Sequence, residues 1–214
     1  MRTSVDVKIC GLTQQDTLMA AVEAGARYLG FTFVEKSSRA ITPAQASALM
    51  MDVPPGVMKV GLVVNPADDE LDAILSCAPL DMIQLHGSED VARVSAIKSR
   101  TGLPVMKAIG VGGRDDLPKI AQYGAVADYL LVDAKPASNS ELPGGNGVAF
   151  DWKLIAEIDW PTPWMLAGGL TSANVGRAIR ETQAQIVDVS SGVESAPGVK
   201  DVLAIQEFIS AATL

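Results

Sequence analysis

Short runs rich in β-branched, aromatic and long apolar residues recur along the whole chain, each followed by a segment with helical signals. This alternation constrains the fold more than any other feature. It predicts about eight strands, at Val5–Ile9, Tyr28–Phe33, Lys59–Val64, Met82–Leu85, Val105–Ile109, Tyr129–Val132, Trp164–Ala167 and Ile186–Val189. Helices are predicted between them, among them Gln14–Ala24 behind Thr13, Pro43–Met51 behind Thr42 and Ser172–Arg180 behind Thr171. In each case a hydroxyl stands ready to cap the free N–H groups of the first turn. Runs such as YLGFTF and MKVGLVV are almost continuously apolar, as strands are when both faces are covered. In 214 residues, eight such units predict one α/β domain over 1–214, a compact, parallel, eight-stranded (β/α)8 TIM barrel. An open doubly wound sheet is the alternative, but no Gly-x-Gly-x-x-Gly turn follows the first strand.

Charge and cysteine content narrow the function. The 17 Lys and Arg against 25 Asp and Glu leave a formal charge of −8, which argues against nucleic-acid binding. An anionic small molecule is still compatible, because backbone N–H groups and helix N-termini hold phosphate without a basic surface. Two cysteines, Cys10 and Cys77, form no metal-ligand spacing or disulfide framework, and a single histidine, His86, excludes any site that needs two imidazoles. The N-terminus lacks an apolar signal-peptide core, and no run approaches about 18 apolar residues. The expectation is a cytoplasmic protein with no membrane partner.

In a barrel, the carboxyl ends of the strands are where chemistry collects. The run VDVKICG ends its strand on Cys10, either a small buried hydrophobe or a thiol poised to exchange a proton. Asp133 ends the apolar strand YLLV, where its carboxyl group either acts as a general acid or caps the next loop. Arg39 follows the second strand with a planar fork suited to a substrate carboxylate, or is simply solvated. His86 follows the fourth strand, as a proton carrier or a packing residue. Gly168 and Gly169 after the seventh strand and Ser190-Ser191-Gly192 after the eighth are individually ordinary turns. Jointly, at those two positions, they favour a phosphate site. Cys77 reads as a packing residue or a bystander and the acidic run Asp68-Asp69-Glu70-x-Asp72 as a solvated helix start. The stretch Ala134–Ala149, AKPASNSELPGGNGVA, is long enough to be functional, and a lid closing over substrate is one use for it.

Taken in order, KICGL, the Phe33-to-Arg39 loop, QLHG, the aspartate with its glycine-rich loop and FDW, AGGL, and DVSSGVE with PGVKD resemble the phosphoribosylanthranilate isomerases of tryptophan biosynthesis. The resemblance runs from Lys8 to Asp201, with Ser38 standing where that family often has proline. It implies a barrel without metal or organic cofactor, acting on a small phosphosugar by an Amadori rearrangement; a monomer or homodimer is expected. It further implies Asp133 as general acid, Cys10 as general base and Arg39 on the anthranilate carboxylate. His86 and Asp188 would line the pocket, with Gly168, Gly169, Ser191 and Gly192 on the phosphate. Other phosphosugar barrels, such as a histidine-pathway ketol isomerase or an indole-glycerol-phosphate synthase, are the competing enzymes. A catalytically silent barrel that senses a phosphorylated metabolite is the competing class.

Overall fold

Eight parallel strands pair in sequence order and the last closes on the first. They are β1 (Asp6–Cys10), β2 (Tyr28–Thr32), β3 (Met58–Val63), β4 (Met82–Leu85), β5 (Val105–Val111), β6 (Tyr129–Ala134), β7 (Trp164–Ala167) and β8 (Ile186–Val189). The computed structural model describes residues 5–134 and 152–213. Helices α1 (Gln15–Glu23), α2 (Pro43–Met50), α3 (Asp68–Cys77), α4 (Val91–Thr101), α5 (Pro118–Gly124), α6 (Lys153–Ala156), α7 (Val175–Thr182) and α8 (Val202–Thr213) follow the strands in turn. None of the described helices is long and apolar enough to cross a membrane.

Period-2 alternation divides each strand between two cores. Outward residues such as Val7, Ile9, Leu29, Phe31, Ile83 and Leu85 pack with helix residues including Leu18, Ala21, Leu71, Val94, Ile97 and Phe208. Inward residues Tyr28, Val60, Met82, Met106, Leu131, Met165 and Ile186 fill the barrel. Register therefore decides which side chains reach the mouth, and a one-residue slip in β1 would send Cys10 outward into the helix layer.

Helix starts follow the sequence in part. Thr42 accepts from the backbone N–H of Gln45, whose side chain in turn accepts from the Thr42 N–H, and Pro43 follows at the first helical position. Asp90 caps α4 by accepting from the Arg93 N–H, and Gly102 ends it in the left-handed region at φ 66°. Thr13 and Thr171, in contrast, are not caps. Helix α1 begins one residue later than expected, behind an extended Gln14 that makes no side-chain cap. Before α7, Asn174 closes a turn by accepting from the Thr171 N–H and donating to the Gly169 carbonyl, which delays the helix to Val175. The acidic start of α3 is more than a solvated face: Asp68 accepts from Arg93 and Asp72 from Arg100, tying α3 to α4. Cys77 is the exposed last residue of α3. Of the stretch singled out as a candidate lid, all but Ala134 at the end of β6 lies outside the described residues.

Candidate functional site

A cavity of about 360 Å³ opens at the carboxyl ends of the strands, and all the site residues expected from the sequence line it. Cys10 is the last residue of β1, Asp133 lies in the last turn of the pleat of β6, and Asp188 stands on β8. His86 follows β4 directly, while Arg39 reaches in from the β2–α2 loop. Gly168 and Gly169 follow β7 with φ of 93° and 61°, two successive left-handed residues that let the backbone turn under the cavity. Ser191 and Gly192 open the 3₁₀ turn Ser191–Val193 after β8. A Cβ on Gly192 would collide with the carbonyl oxygen of Leu170, so the two glycine loops are in close backbone contact.

Beneath the cavity lies a buried lysine that sequence reasoning missed, paired with the expected Asp188. Lys8, fully buried inside the barrel, donates to Asp188 Oδ1 at 2.7 Å. The register of β1 against β8 sets Lys8 directly opposite Asp188. Burial disfavours the ammonium, but the charges and hydrogen bonds of Asp188 and Cys10 together outweigh it and hold the Lys8 pKa above its ordinary value. Burial also pushes the Cys10 thiol up, with the Lys8 charge pulling it back down and Asp188 working against that pull. Parity with Cys10 was the available signal, since positions 8 and 10 share one face of the strand.

Two further residues shape this floor. Gly30 on β2 is the register partner of Cys10, and a Cβ there would sit 2.8 Å from Cys10 Sγ. Gly30→Ala is therefore expected to displace the thiol and lower kcat by roughly tenfold or more while leaving phosphate affinity unchanged. Steady-state kinetics beside phosphate competition checks this, and an alanine variant with full kcat would show that the thiol's position is not critical. Gln84 on β4, 1% exposed, lies 3.1 Å through Nε2 from His86 Nδ1, and its Oε1 has no partner among the described residues. With the amide donating, the His86 proton is assigned to Nε2. Burial lowers the His86 pKa, against the pull of Asp133 and Asp188, which favours a neutral imidazole at neutral pH.

The loop bearing His86 is fixed by a second buried pair. Lys107 donates to Glu89 Oε2 at 2.9 Å and to the Gly87 carbonyl at 2.7 Å, and Glu89 accepts from the N–H groups of Asn65 and Gly87. At the other side of the mouth, Arg39 is held by Glu194, which also accepts from Lys200. Burial opposes the Glu194 charge, and the hydrogen bonds from Arg39 and Lys200 overcome it, so its carboxyl falls from 4.5 to about 2. A depressed pKa means that the ionised carboxylate stabilises the fold above about pH 4.5 and that this contribution is lost as the pH falls toward 2. Glu194→Gln should accordingly melt below the unaltered protein at pH 7, with the gap narrowing as the pH falls below 4.5. A gap independent of pH would show that charge is not what Glu194 contributes.

Comparisons with known proteins give the family and agree on the fold. The family model described as N-(5'phosphoribosyl)anthranilate (PRA) isomerase matches residues 7–211. The N-(5'-phosphoribosyl)anthranilate isomerase of Paracoccus denitrificans (strain Pd 1222) is 60% identical over 210 residues, covering 98% of each chain. Among solved structures, the phosphoribosyl anthranilate isomerase of Thermotoga maritima superposes with a TM-score of 0.87 at 37% identity, covering 97% of this chain and 98% of that one. A phosphoribosyl anthranilate isomerase crystallised with reduced 1-(o-carboxyphenylamino)-1-deoxyribulose 5-phosphate gives a TM-score of 0.84 at 35% identity over the same shares.

Proposed function

Because the chain belongs to the N-(5'-phosphoribosyl)anthranilate isomerase family, we propose that it converts N-(5-phosphoribosyl)anthranilate to 1-(2-carboxyphenylamino)-1-deoxyribulose 5-phosphate, with Asp133 and Cys10 as acid and base. The observation that carries this is the single cavity lined by a carboxyl group, a thiol, an arginine fork and two glycine loops. Asp133 gives its proton to the furanose ring oxygen as the bond from that oxygen to C1 breaks, leaving a protonated Schiff base between C1 and the anthranilate nitrogen. The Cys10 thiolate then removes the proton from C2, and the electron pair of that bond neutralises the imine as an enolamine. Protonation at C1 and loss of the C2 hydroxyl proton give the ketone, so the product is an isomer of the substrate with no redox partner.

Each remaining group has a place in this scheme. Arg39 binds the anthranilate carboxylate, and the loops of Gly168-Gly169 and Ser191-Gly192 hold the phosphate through backbone N–H groups. His86 lines the anthranilate side of the cavity as a neutral donor. Asp188 lines the sugar side while neutralising Lys8. In this scheme the protein acts as a single domain over residues 1–214, in the cytoplasm, as a monomer or homodimer, without cofactor and without nucleic-acid or membrane partners.

The decisive experiment follows the loss of anthranilate-type fluorescence as freshly generated phosphoribosylanthranilate is consumed by the purified protein. Turnover that is suppressed by inorganic phosphate supports both the reaction and the phosphate loops. A folded, phosphate-binding protein without turnover would favour the sensor instead.

A further inference from the structure

The residues around Arg39 form a charge triad that the proposed reaction does not yet use. Arg39 donates through Nε to Glu194 Oε1 at 2.6 Å and through Nη2 to Oε2 at 2.8 Å. Lys200 donates to the same Oε1 at 2.7 Å, and the Gly198 N–H reaches Oε2 at 3.2 Å. Both Glu194 and Lys200 are almost fully buried at their side chains, 4% and 1% exposed, and neither lines the cavity. They come from the hairpin of β9 (Glu194–Ala196) and β10 (Val199–Lys200), which packs so closely on the Arg39 loop that a Cβ on Gly198 would collide with the Ser38 carbonyl. Lys200 also donates to the Ser190 carbonyl at 2.9 Å, anchoring the triad to the end of β8.

A guanidinium has two edges that each offer a pair of parallel N–H donors. Glu194 occupies the edge formed by Nε and Nη2, which leaves the edge formed by the two terminal nitrogens for another planar acceptor. Charge counting gives the same result. Arg39 and Glu194 alone would be a neutral pair with little field to offer a carboxylate. Lys200 restores one net positive charge to the group, and only Arg39 of the three reaches the cavity.

From this arrangement we infer that Glu194 and Lys200 are positioning residues that make Arg39 selective for an arylamine bearing a carboxylate. The inference rests on the proposal that Arg39 binds that carboxylate. Glu194 sets the direction of the free edge. Lys200 keeps it charged.

The test compares two synthetic inhibitors, 1-(2-carboxyphenylamino)-1-deoxyribitol 5-phosphate and its phenylamino counterpart without the carboxylate, on the unaltered protein and on Lys200→Met, Glu194→Gln and Arg39→Ala. Lys200→Met is expected to reduce the preference for the carboxylated compound about tenfold, the scale of one charge-assisted hydrogen bond. Glu194→Gln should reduce it by a similar factor, because losing the held edge of the guanidinium outweighs the positive charge gained. The phenylamino compound should bind with unchanged affinity, and KM for the substrate should rise with kcat nearly constant. Equal weakening of both compounds, or an unchanged preference in both variants, would overturn the inference. If Lys200→Met fails to fold, Glu194→Gln carries the test, because glutamine keeps the volume and one of the two acceptors. Should Arg39→Ala itself leave the preference intact, the carboxylate role of Arg39 falls and the inference with it. Should Arg39→Ala abolish the preference while the other two retain it, only the positioning role falls.

Discussion

Asp133→Asn and Cys10→Ala are each expected to lower kcat by about 10²–10⁴-fold, or roughly 3–5 kcal/mol of barrier, with phosphate affinity preserved. Asparagine keeps the shape of the Asp133 side chain at the mouth of β6 but has no acidic proton to give the ring oxygen. Alanine at position 10 removes the acceptor for the C2 proton and leaves the glycine loops untouched. The two losses differ in kind, and substrate deuterated at C2 separates them. Without Cys10, proton abstraction limits the rate and the isotope effect grows. With Asp133 replaced, ring opening limits and the isotope effect shrinks toward unity. Near-normal kcat in Asp133→Asn would end the acid assignment, and a growing isotope effect in that variant would mean that the two roles are exchanged.

Lys8→Met should be costly in two separable ways. Removing one partner of a buried ion pair strands the other, a loss of about 3–5 kcal/mol. At about 2–4 °C per kcal/mol for a chain of this size, Tm should fall by about 6–20 °C. The second effect is electrostatic. The lysine charge that pulls the Cys10 thiol down would be gone, and burial already pushes the thiol up. A higher thiol pKa means less thiolate at any given pH, so the rising limb of kcat/KM should move to higher pH. Lys107→Met is the control, because it breaks a similarly buried pair, with Glu89, in the loop that carries His86. It should lower Tm by a comparable amount without moving that limb. A limb that moves equally in both variants, or in neither, would detach Lys8 from the ionisation of Cys10.

The order of the strands was legible because parallel strands covered on both faces must be apolar almost throughout, as in YLGFT of β2. Strand boundaries were less so at β5 and β6, which run on through Gly110-Val111 and Asp133-Ala134 because they pair with each other to the end. The rim residues were readable only jointly: a cysteine, an aspartate or a glycine pair each has an ordinary structural use, and it was their recurrence at successive strand ends that marked the face where one cavity gathers them. Lys8 was not readable as a site residue, because the polar member of an alternating strand ordinarily faces water. In a closed barrel that inference reverses, and Val7 and Ile9 face the helices while Lys8 turns inward. Thr13 and Thr171 show the opposite failure, since their hydroxyls matched a capping pattern that Gln14 and Asn174 pre-empted by local turn geometry. Glu194 and Lys200 lay in quoted motifs, yet the bond from Arg39 to Glu194 spans 155 residues of sequence and becomes visible only when the hairpin is folded against the β2–α2 loop.

The seam between β1 and β8 has a bearing on how the protein is made. A ribosome releases the chain from the N-terminus at about 5–20 residues per second, so β1 emerges roughly ten seconds or more ahead of its second neighbour. Through that interval its outer edge lacks the Ile186–Val189 strand, and Lys8 lacks the carboxylate it is paired with in the finished protein. The strand that carries Cys10 thus stays one of the two open edges of the nascent sheet until β8 arrives. One late event, the docking of β8, both shuts the sheet and brings Asp188 beneath the thiol. Catalytic competence should therefore appear with closure of the barrel, and a chain truncated before β8 should be an open sheet that needs chaperone protection.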